Sequence, residues 1–451
     1  MQHGRFRSIC LARISIPLPE AGPLAMREPR SAYLHIPFCQ RRCFYCDFAV
    51  VPLGDKADGA HSNSIAAYLP LLHREISSAP PGPPLSTVYL GGGTPSLLTP
   101  EQIGALLSGL DRQFGLAAGA EISMEMDPAS FDQRRLTGVL DAGVNRVSLG
   151  GQSFDDAVLE KLGRRHRRAD LLEAAGWLAQ AQRQGSLGSW SLDLIQGLPQ
   201  QDLSHWQNQL RQAVAVDAPH LSIYDLIVEP GTVFAWRQKR GELPLPDSDQ
   251  GADLMALTSE RLRAAGYGHY EISNYARPGH VSRHNRVYWS GAGWWGFGLG
   301  ATSAPYGRRL ARPRTRAAYG EWLSQAASQA GPGPTPGGTP EQGAPEPGLP
   351  FDELLMVGLR RREGVAMGQL AIDYGLSGSA LASLRQRLQP FIEADLLLIE
   401  AARWRLSDPA GLALSNAVLR ELLGWWDERS GPAPTPEAPR SPTHDHRSGP
   451  G

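Results

Sequence analysis

From residue 32 onward the apolar residues fall into two alternating rhythms. Short runs rich in β-branched and aromatic side chains end in Gly, Pro or polar residues: AYLHIPF (32–38), STVYLGGG (86–93), AEISMEMDP (120–128), NRVSLGGQSF (145–154), WSLDLIQGLP (190–199) and HLSIYDLIVEP (220–230). These read as strands. Between them, residues 64–76, 101–114, 132–143, 170–184 and 203–216 space their apolar side chains by three or four, as amphipathic helices do. Pro100–Glu101 and Gly143 supply start and stop signals. Repeated strand–helix alternation predicts an α/β fold with a parallel sheet, and six such units suggest a partial (β/α)6 barrel. A further helix over 253–266 leads into the aromatic, Gly-rich stretch YEISNYARPGHVSRHNRVYWSGAGWWGFGLGATS, which closes this first domain.

The pattern changes after residue 350. Residues 351–365, 368–375, 378–400 and 404–426 read as helices with one short hairpin, LLLIEAARWRLSD. This predicts a small, mostly helical C-terminal domain of winged-helix type. Residues 331–350 and 430–451 are rich in Pro and Gly and too poor in large apolar side chains to offset the entropy of ordering them. The resulting organisation is a leader over 1–30, disordered or preceding a true start at Met26; a barrel domain over 31–325; a linker over 326–350; a helical domain over 351–427; and a disordered tail over 428–451. His444 and His446 lie in that tail and read as solvated.

Composition narrows the partners. The chain carries 44 Lys+Arg against 45 Asp+Glu, so no chain-wide basic surface predicts a nucleic-acid partner. Winged helices often bind nucleic acid, but fold alone does not assign that role. No apolar run reaches the ~18–20 residues of a membrane span, and the N-terminal stretch is a poor signal peptide, so the expected location is the cytoplasm. Four cysteines cannot scaffold 451 residues, and three of them, Cys39, Cys43 and Cys46, crowd into HIPFCQRRCFYCDF directly after the first strand.

C-x3-C-x2-C lets one loop wrap three thiolates around a single centre. A structural zinc site closes with four ligands, and here His35 or Cys10 would have to be the fourth. A [4Fe–4S] cube held by three thiolates instead leaves one iron with an open position. The strand ends add polar groups: Gly91–Gly92–Gly93 and Thr94 after the second, Glu125 and Asp127 at the third, Gln152 and Ser153 at the fourth, Asp193 on the fifth. In a parallel barrel these ends converge on one face, where such groups could hold a ribose, a carboxylate or an adenine.

The spacing of the cysteines, with the aromatic Tyr45 before the last, resembles the radical S-adenosylmethionine (SAM) superfamily. That resemblance implies a [4Fe–4S] cluster on Cys39, Cys43 and Cys46, with SAM chelating the open iron. The blocks YLHIPFC, YLGGGTPS, DAGVNRVSLGGQSF, LGRRH, LDLIQGLP, IYDLIVEPGT and YEISNYA resemble the oxygen-independent coproporphyrinogen III oxidase family over roughly residues 31–424. By this resemblance Tyr33, Tyr45, Gly93, Thr94, Glu125, Gln152, Arg164 and Asp193 are SAM-site positions, Arg164 pairing with the SAM carboxylate. The decarboxylating oxidases carry a fourth cysteine where this chain has Phe48, and CDF is instead the form of the related HemW haem chaperones. His284-Asn285-Arg286-Val287-Tyr288-Trp289 is the H-N-x-x-Y-W motif of that branch, whose His is implicated in haem binding; Tyr288, Trp289, Trp294, Trp295 and Phe297 would offer a flat apolar surface to the porphyrin. From the residues alone, His284 reads instead as a histidine hydrogen-bonded inside an aromatic cluster. The resemblance implies haem and a haem-acceptor protein as partners, with an electron donor if SAM is cleaved. Oxidative decarboxylation of coproporphyrinogen III is the enzymatic alternative.

Overall fold

The computed structural model describes residues 28–55, 58–328, 349–400 and 402–430. Apart from a few boundary residues, the expected leader, linker and tail lie outside the described residues, and Cys10, Met26, His444 and His446 lie wholly outside them.

Six parallel strands stand side by side in chain order: β1 (Ser31–Ile36), β2 (Leu85–Gly92), β3 (Leu116–Met126), β4 (Arg146–Gln152), β5 (Ser189–Gln196) and β6 (His220–Asp225). The sheet continues beyond β6 with an antiparallel pair, β7 (Gly268–Glu271) and β8 (Asn274–Ala276), in the order β6-β8-β7. At the other edge β9 (Trp295–Phe297) lies parallel to β1. Crossover helices α1 (Asn63–Ser78), α2 (Pro100–Phe114), α3 (Gln133–Asp141), α4 (Arg168–Arg183) and α5 (Leu203–Val216) link the parallel strands, giving the expected partial barrel. Thr99 and Gln102 form a reciprocal capping box at the start of α2, with Pro100 in its first turn. Gly143, at φ 116°, follows the end of α3.

Period-two alternation sorts each strand's side chains. Ala32, Leu34, Val88, Leu90, Ile122, Met124, Val147, Leu149, Leu192 and Leu221 join the apolar core beneath the helices. The opposite face is polar in register: Thr87 pairs with Glu121 across β2 and β3, Ser123 with Arg146 across β3 and β4, Ser148 with Ser191 across β4 and β5, and Asp193 with Ser222 across β5 and β6. The barrel interior is therefore a stack of polar residues.

The last strand ends sooner than its apolar run suggests. It stops at Asp225, and Thr232 caps a short helix over Val233–Lys239. Helix α6 (Ser248–Ala264) precedes the β7–β8 pair. Helix α7 (Arg283–Ser290), in a stretch whose sequence predicted no element, docks by its first turn on β3: Glu121 accepts the backbone N–H groups of Arg283 (3.1 Å) and His284 (2.9 Å). Trp295 and Phe297 correct another expectation. On β9 their side chains are buried against Phe114 of α2, because positions two apart share a face, so they offer nothing to a porphyrin.

Residues 349–430 build a second core around Phe351, Leu355, Leu384, Leu406 and Leu422, using helices α8 (Phe351–Gly358), α9 (Gly378–Arg387) and α10 (Ser415–Ser430) and a hairpin of β10 (Leu397–Glu400) and β11 (Arg403–Leu406). Val365–Ala366 adds a third antiparallel strand to that hairpin, giving a helix-rich unit with a small sheet. Asp408 ties this unit to the barrel through His269 Nδ1 (2.9 Å), Arg263 Nη2 (2.6 Å) and Ser259 Oγ (3.2 Å).

Candidate functional site

A cavity of about 350 Å3 opens at the carboxyl ends of the parallel strands. Cys39, Cys43 and Cys46 line it on one side. Their loop is held from both flanks: Leu53 N–H donates to Cys39 O (2.8 Å), Phe44 N–H to Leu162 O (3.0 Å), and Phe234 N–H to Phe44 O (3.1 Å). Gly163, at φ 77°, leaves room for the Phe44 ring, which a Cβ there would meet at 3.2 Å. Among the described residues no three His, Cys, Asp or Glu side chains are drawn together to the spacing of a single ion. Thiolates that line one cavity without closing on one point suit a cube, where each binds a different iron, better than one tetrahedral zinc. His35, proposed as a fourth zinc ligand, is engaged elsewhere: Nδ1 with the Tyr33 hydroxyl (3.0 Å) and Nε2 with Ala49 O (2.9 Å). Burial pushes the Cys39 thiol up to about 12, so without a cation beside it this sulfur keeps its proton.

The strand ends complete the wall. Gly93, Thr94, Glu125, Gln152, Arg164, Asp193 and Tyr45 all line this cavity. Thr94 Oγ1 reaches Cys39 Sγ (3.6 Å). Arg164 donates through Nη2 to Asp127 Oδ2 (2.6 Å) and Gly150 O (2.8 Å) and through Nη1 to Cys43 Sγ (3.7 Å), while its buried Nε has no partner among the described residues. An unpartnered guanidinium nitrogen beside the cysteines fits a ligand that brings an anionic oxygen. Gln152 adopts a left-handed conformation, φ 63°, at a register shift in β4, a strain of about 1 kcal/mol or more held at the cavity rim.

Gly92 and Gly93 line the cavity and are also needed for the protein's own packing. Gly92 N–H donates to Glu125 Oε2 (3.0 Å) and Gly93 N–H to Ile36 O (2.8 Å). A Cβ on Gly92 would meet the His35 ring at 2.5 Å, and one on Gly93 would meet Phe38 O at 2.6 Å. The missing side chains make room for the protein's own packing. Glu125 also accepts from the Tyr89 hydroxyl (3.1 Å), and burial pushes its carboxyl up to about 7. Burial likewise raises Asp193, although Ser148 (2.7 Å) and Ser191 (3.3 Å) donate to it.

A second cavity of about 420 Å3 adjoins the first and shares Phe48, Tyr89, Gly92 and Glu125 with it. Tyr33 lines this second space rather than the first. So do Asn285, Tyr288 and Trp294, which brings the H-N-x-x-Y-W segment to the barrel interior. His284 itself has no exposed surface. Its Nδ1 lies 2.8 Å from Thr87 Oγ1 and its Nε2 lies 2.8 Å from the Tyr288 hydroxyl, with Tyr89 stacked over the ring at 5.1 Å. Burial pushes this imidazole down to about 3, so it is neutral. The residue reading of a hydrogen-bonded histidine in an aromatic cluster describes this geometry.

Sequence reasoning missed Tyr89, Ser148, Tyr224 and Ile227 in the first wall. Tyr89 and Ser148 share the inward face of their strands with residues already singled out, so strand parity could have found them. Tyr224 and Ile227 carry no such signal.

The radical SAM superfamily model matches residues 33–212. "Heme chaperone HemW" of Synechocystis sp. is 40% identical, over 89% of this chain and 98% of the relative. The protein of the same description from Escherichia coli is 40% identical over 64% of this chain and 74% of the relative. Among solved structures, coproporphyrinogen III oxidase (HemN) from Escherichia coli, a radical SAM enzyme, superposes with a TM-score of 0.69 at 22% identity, covering 90% and 92% of the two chains. The last likeness shows the fold. With 40% identity sustained over 98% of the Synechocystis relative, this chain belongs to the HemW family of the radical SAM superfamily.

Proposed function

We propose that the chain is a haem chaperone: it binds haem, a [4Fe–4S] cluster and SAM, and hands the haem to an acceptor protein. The observation that carries this reading is the pair of adjoining cavities. One is lined by the three cysteines and the strand-end polar groups; the other is walled by aromatic side chains and the H-N-x-x-Y-W segment. The relatives' description as haem chaperones supports it.

Cys39, Cys43 and Cys46 would hold the cluster, which when bound supplies an electron and an iron with an open coordination position. Thr94 and Arg164 each direct a donor at a cysteine sulfur, an arrangement that stabilises negative charge on the thiolates. Glu125, Gln152, Arg164 and Asp193 would bind SAM, the Arg164 guanidinium pairing with its carboxylate. Tyr45 packs near Phe234 (ring centroids 6.4 Å) and lines the first cavity beside the cysteines. Haem is cargo, and delivery is a binding activity that needs no chemical turnover. SAM cleavage, where it occurs, draws on an external electron donor. With Phe48 in place of a fourth cysteine, decarboxylation of coproporphyrinogen III is not the reading we adopt.

The test is an anaerobic haem titration of cluster-reconstituted protein followed by absorption difference spectra, with iron and sulfide analysis beside it. The expected result is about four irons with matching sulfide and saturable binding of one haem per chain. Absence of saturable binding would refute the chaperone reading, and one zinc without sulfide would refute the cluster.

A further inference from the structure

We propose that Arg314 recognises the carboxylate of the cargo: a propionate of the tetrapyrrole pairs with its guanidinium at the second cavity, and this pairing fixes which edge of the ring lies there. The proposal rests on the haem-binding reading above.

Haem is a flat apolar disc with its propionates on one edge, and the second cavity is divided in the same way. Phe48, Tyr288 and Trp294 give it aromatic walls, and Phe48 has 56% of its surface exposed. Among the described residues of that wall, Arg314 is the one side chain with a permanent positive charge. The imidazole of His35 has both nitrogens hydrogen-bonded within the protein, and the remaining titratable side chains are the carboxyls of Asp47 and Glu125 and the phenols of three tyrosines. A carboxylate entering with the ring therefore finds its opposite charge at Arg314.

That guanidinium is available. Nearby Arg309 and Arg312 are already paired, with Glu353 and with Glu75 (2.8 Å) respectively. Arg314 is exposed and has no carboxylate partner among the described residues; its Nη2 donates to the backbone O of Asp47 (2.6 Å). A guanidinium carries five N–H donors, so one bond to a carbonyl leaves donors enough to grip a carboxylate by both oxygens.

The backbone around Arg314 is set beforehand. Arg312 N–H donates to Ala301 O (2.8 Å) and Gly300 N–H to Pro313 O (2.9 Å) on one side. On the other, Thr315 Oγ1 accepts from Ala318 N–H (3.3 Å) at the start of the helix over Arg316–Ser328. With the chain fixed on both flanks and the side chain tethered to Asp47, little ordering remains to be done when a propionate arrives.

The experiment titrates cluster-reconstituted parent and Arg314→Met with haem and with haem dimethyl ester, whose carboxylates are masked, both in the same dilute detergent and followed by absorption difference spectra. The parent should bind the ester roughly tenfold more weakly than haem, a comparison that requires no variant to fold. Arg314→Met should bind haem about as weakly as the parent binds the ester, and should lose little more on the ester, because both changes remove one and the same interaction. A parent that binds both ligands equally would overturn the proposal and leave the chaperone reading standing. So would a variant that still prefers haem to its ester, which would put the propionate elsewhere, or one that weakens both ligands alike, which would give Arg314 only a structural role through Asp47. A parent that binds no haem would overturn both readings.

Discussion

Glu125 stands where the two cavities meet, and its protonation is open to a direct test. Its carboxyl accepts from Tyr89 Oη and Gly92 N–H, yet burial outweighs these bonds and pushes it from an ordinary 4.5 up to about 7. A carboxyl raised in the folded state holds a proton that the unfolded chain has already released. Between about pH 4.5 and pH 7 stability must therefore fall as pH rises, and above that window the full cost is present. At about 1.4 kcal/mol per pH unit, the difference corresponds to ~3 kcal/mol.

Glu125→Gln keeps the shape and removes the titration. The amide has one acceptor oxygen for two donors, so the variant loses about 1 kcal/mol at every pH. Below about pH 4 it should be the less stable protein by that amount; above pH 8 it should be the more stable by about 2 kcal/mol. Urea unfolding of the metal-free, reduced chain between about pH 4 and pH 9 measures both. Other buried carboxyls, such as Glu271, which burial also raises to about 7, contribute equally to parent and variant. A difference between the two stabilities that stays flat across this range would refute the assignment of the raised carboxyl to Glu125.

Gly93→Ala places a methyl group 2.6 Å from Phe38 O, a backbone atom next to Cys39, so about 1–3 kcal/mol of overpacking should fall on the cluster loop. Iron content after reconstitution should drop more than the thermal midpoint does; full iron loading would count against it. Asp408 is held down to about 2, against the effect of its burial, by His269 and Arg263. A depressed carboxyl stabilises the fold above its unfolded value near 3.8 and loses that contribution as pH falls towards 2, so Asp408→Asn should cost about 2 kcal/mol at pH 7 and almost nothing near pH 2. Differential calorimetry would show this, and equal midpoints at pH 7 would sink it. Haem affinity should also differ between metal-free and reconstituted protein, because Cys46 and the second cavity's wall belong to one loop; identical titration curves would contradict that.

The parallel sheet was legible because its outward faces are apolar at every second position and its helices are amphipathic. What the pattern did not disclose was the polar inward face. Thr87, Glu121, Arg146, Ser189 and His220 look like ordinary polar punctuation one strand at a time, and only the register makes them a layer. Helix α7 escaped notice for the same reason. Its eight residues are few and polar on average, so the stripe of His284, Val287 and Tyr288 spans barely two turns, and what fixes it is Glu121, far away in sequence. The cysteine loop and the strand-end residues were readable because their chemistry is local to a few consecutive positions. Tyr33 was placed by resemblance, and its hydroxyl is spent on His35 in the neighbouring space.

Phe48 joins these threads. It occupies the position where the oxidases carry a further thiol, and a phenyl ring there leaves the loop with three sulfur ligands. That ring lines both cavities while remaining largely in solvent, so core packing does not account for it. Its neighbours are tied to the second space: Asp47 O accepts from Arg314 and Ala49 O lies against His35 Nε2, whose Nδ1 holds Tyr33. Four consecutive residues, Cys46 to Ala49, thus run from the cysteine cluster to the wall of the aromatic cavity. A chain that had only to hold a cluster would gain nothing from exposing an aromatic ring at that junction. On the proposed reading, a chain that holds a cluster on one side and a flat, apolar cargo on the other does.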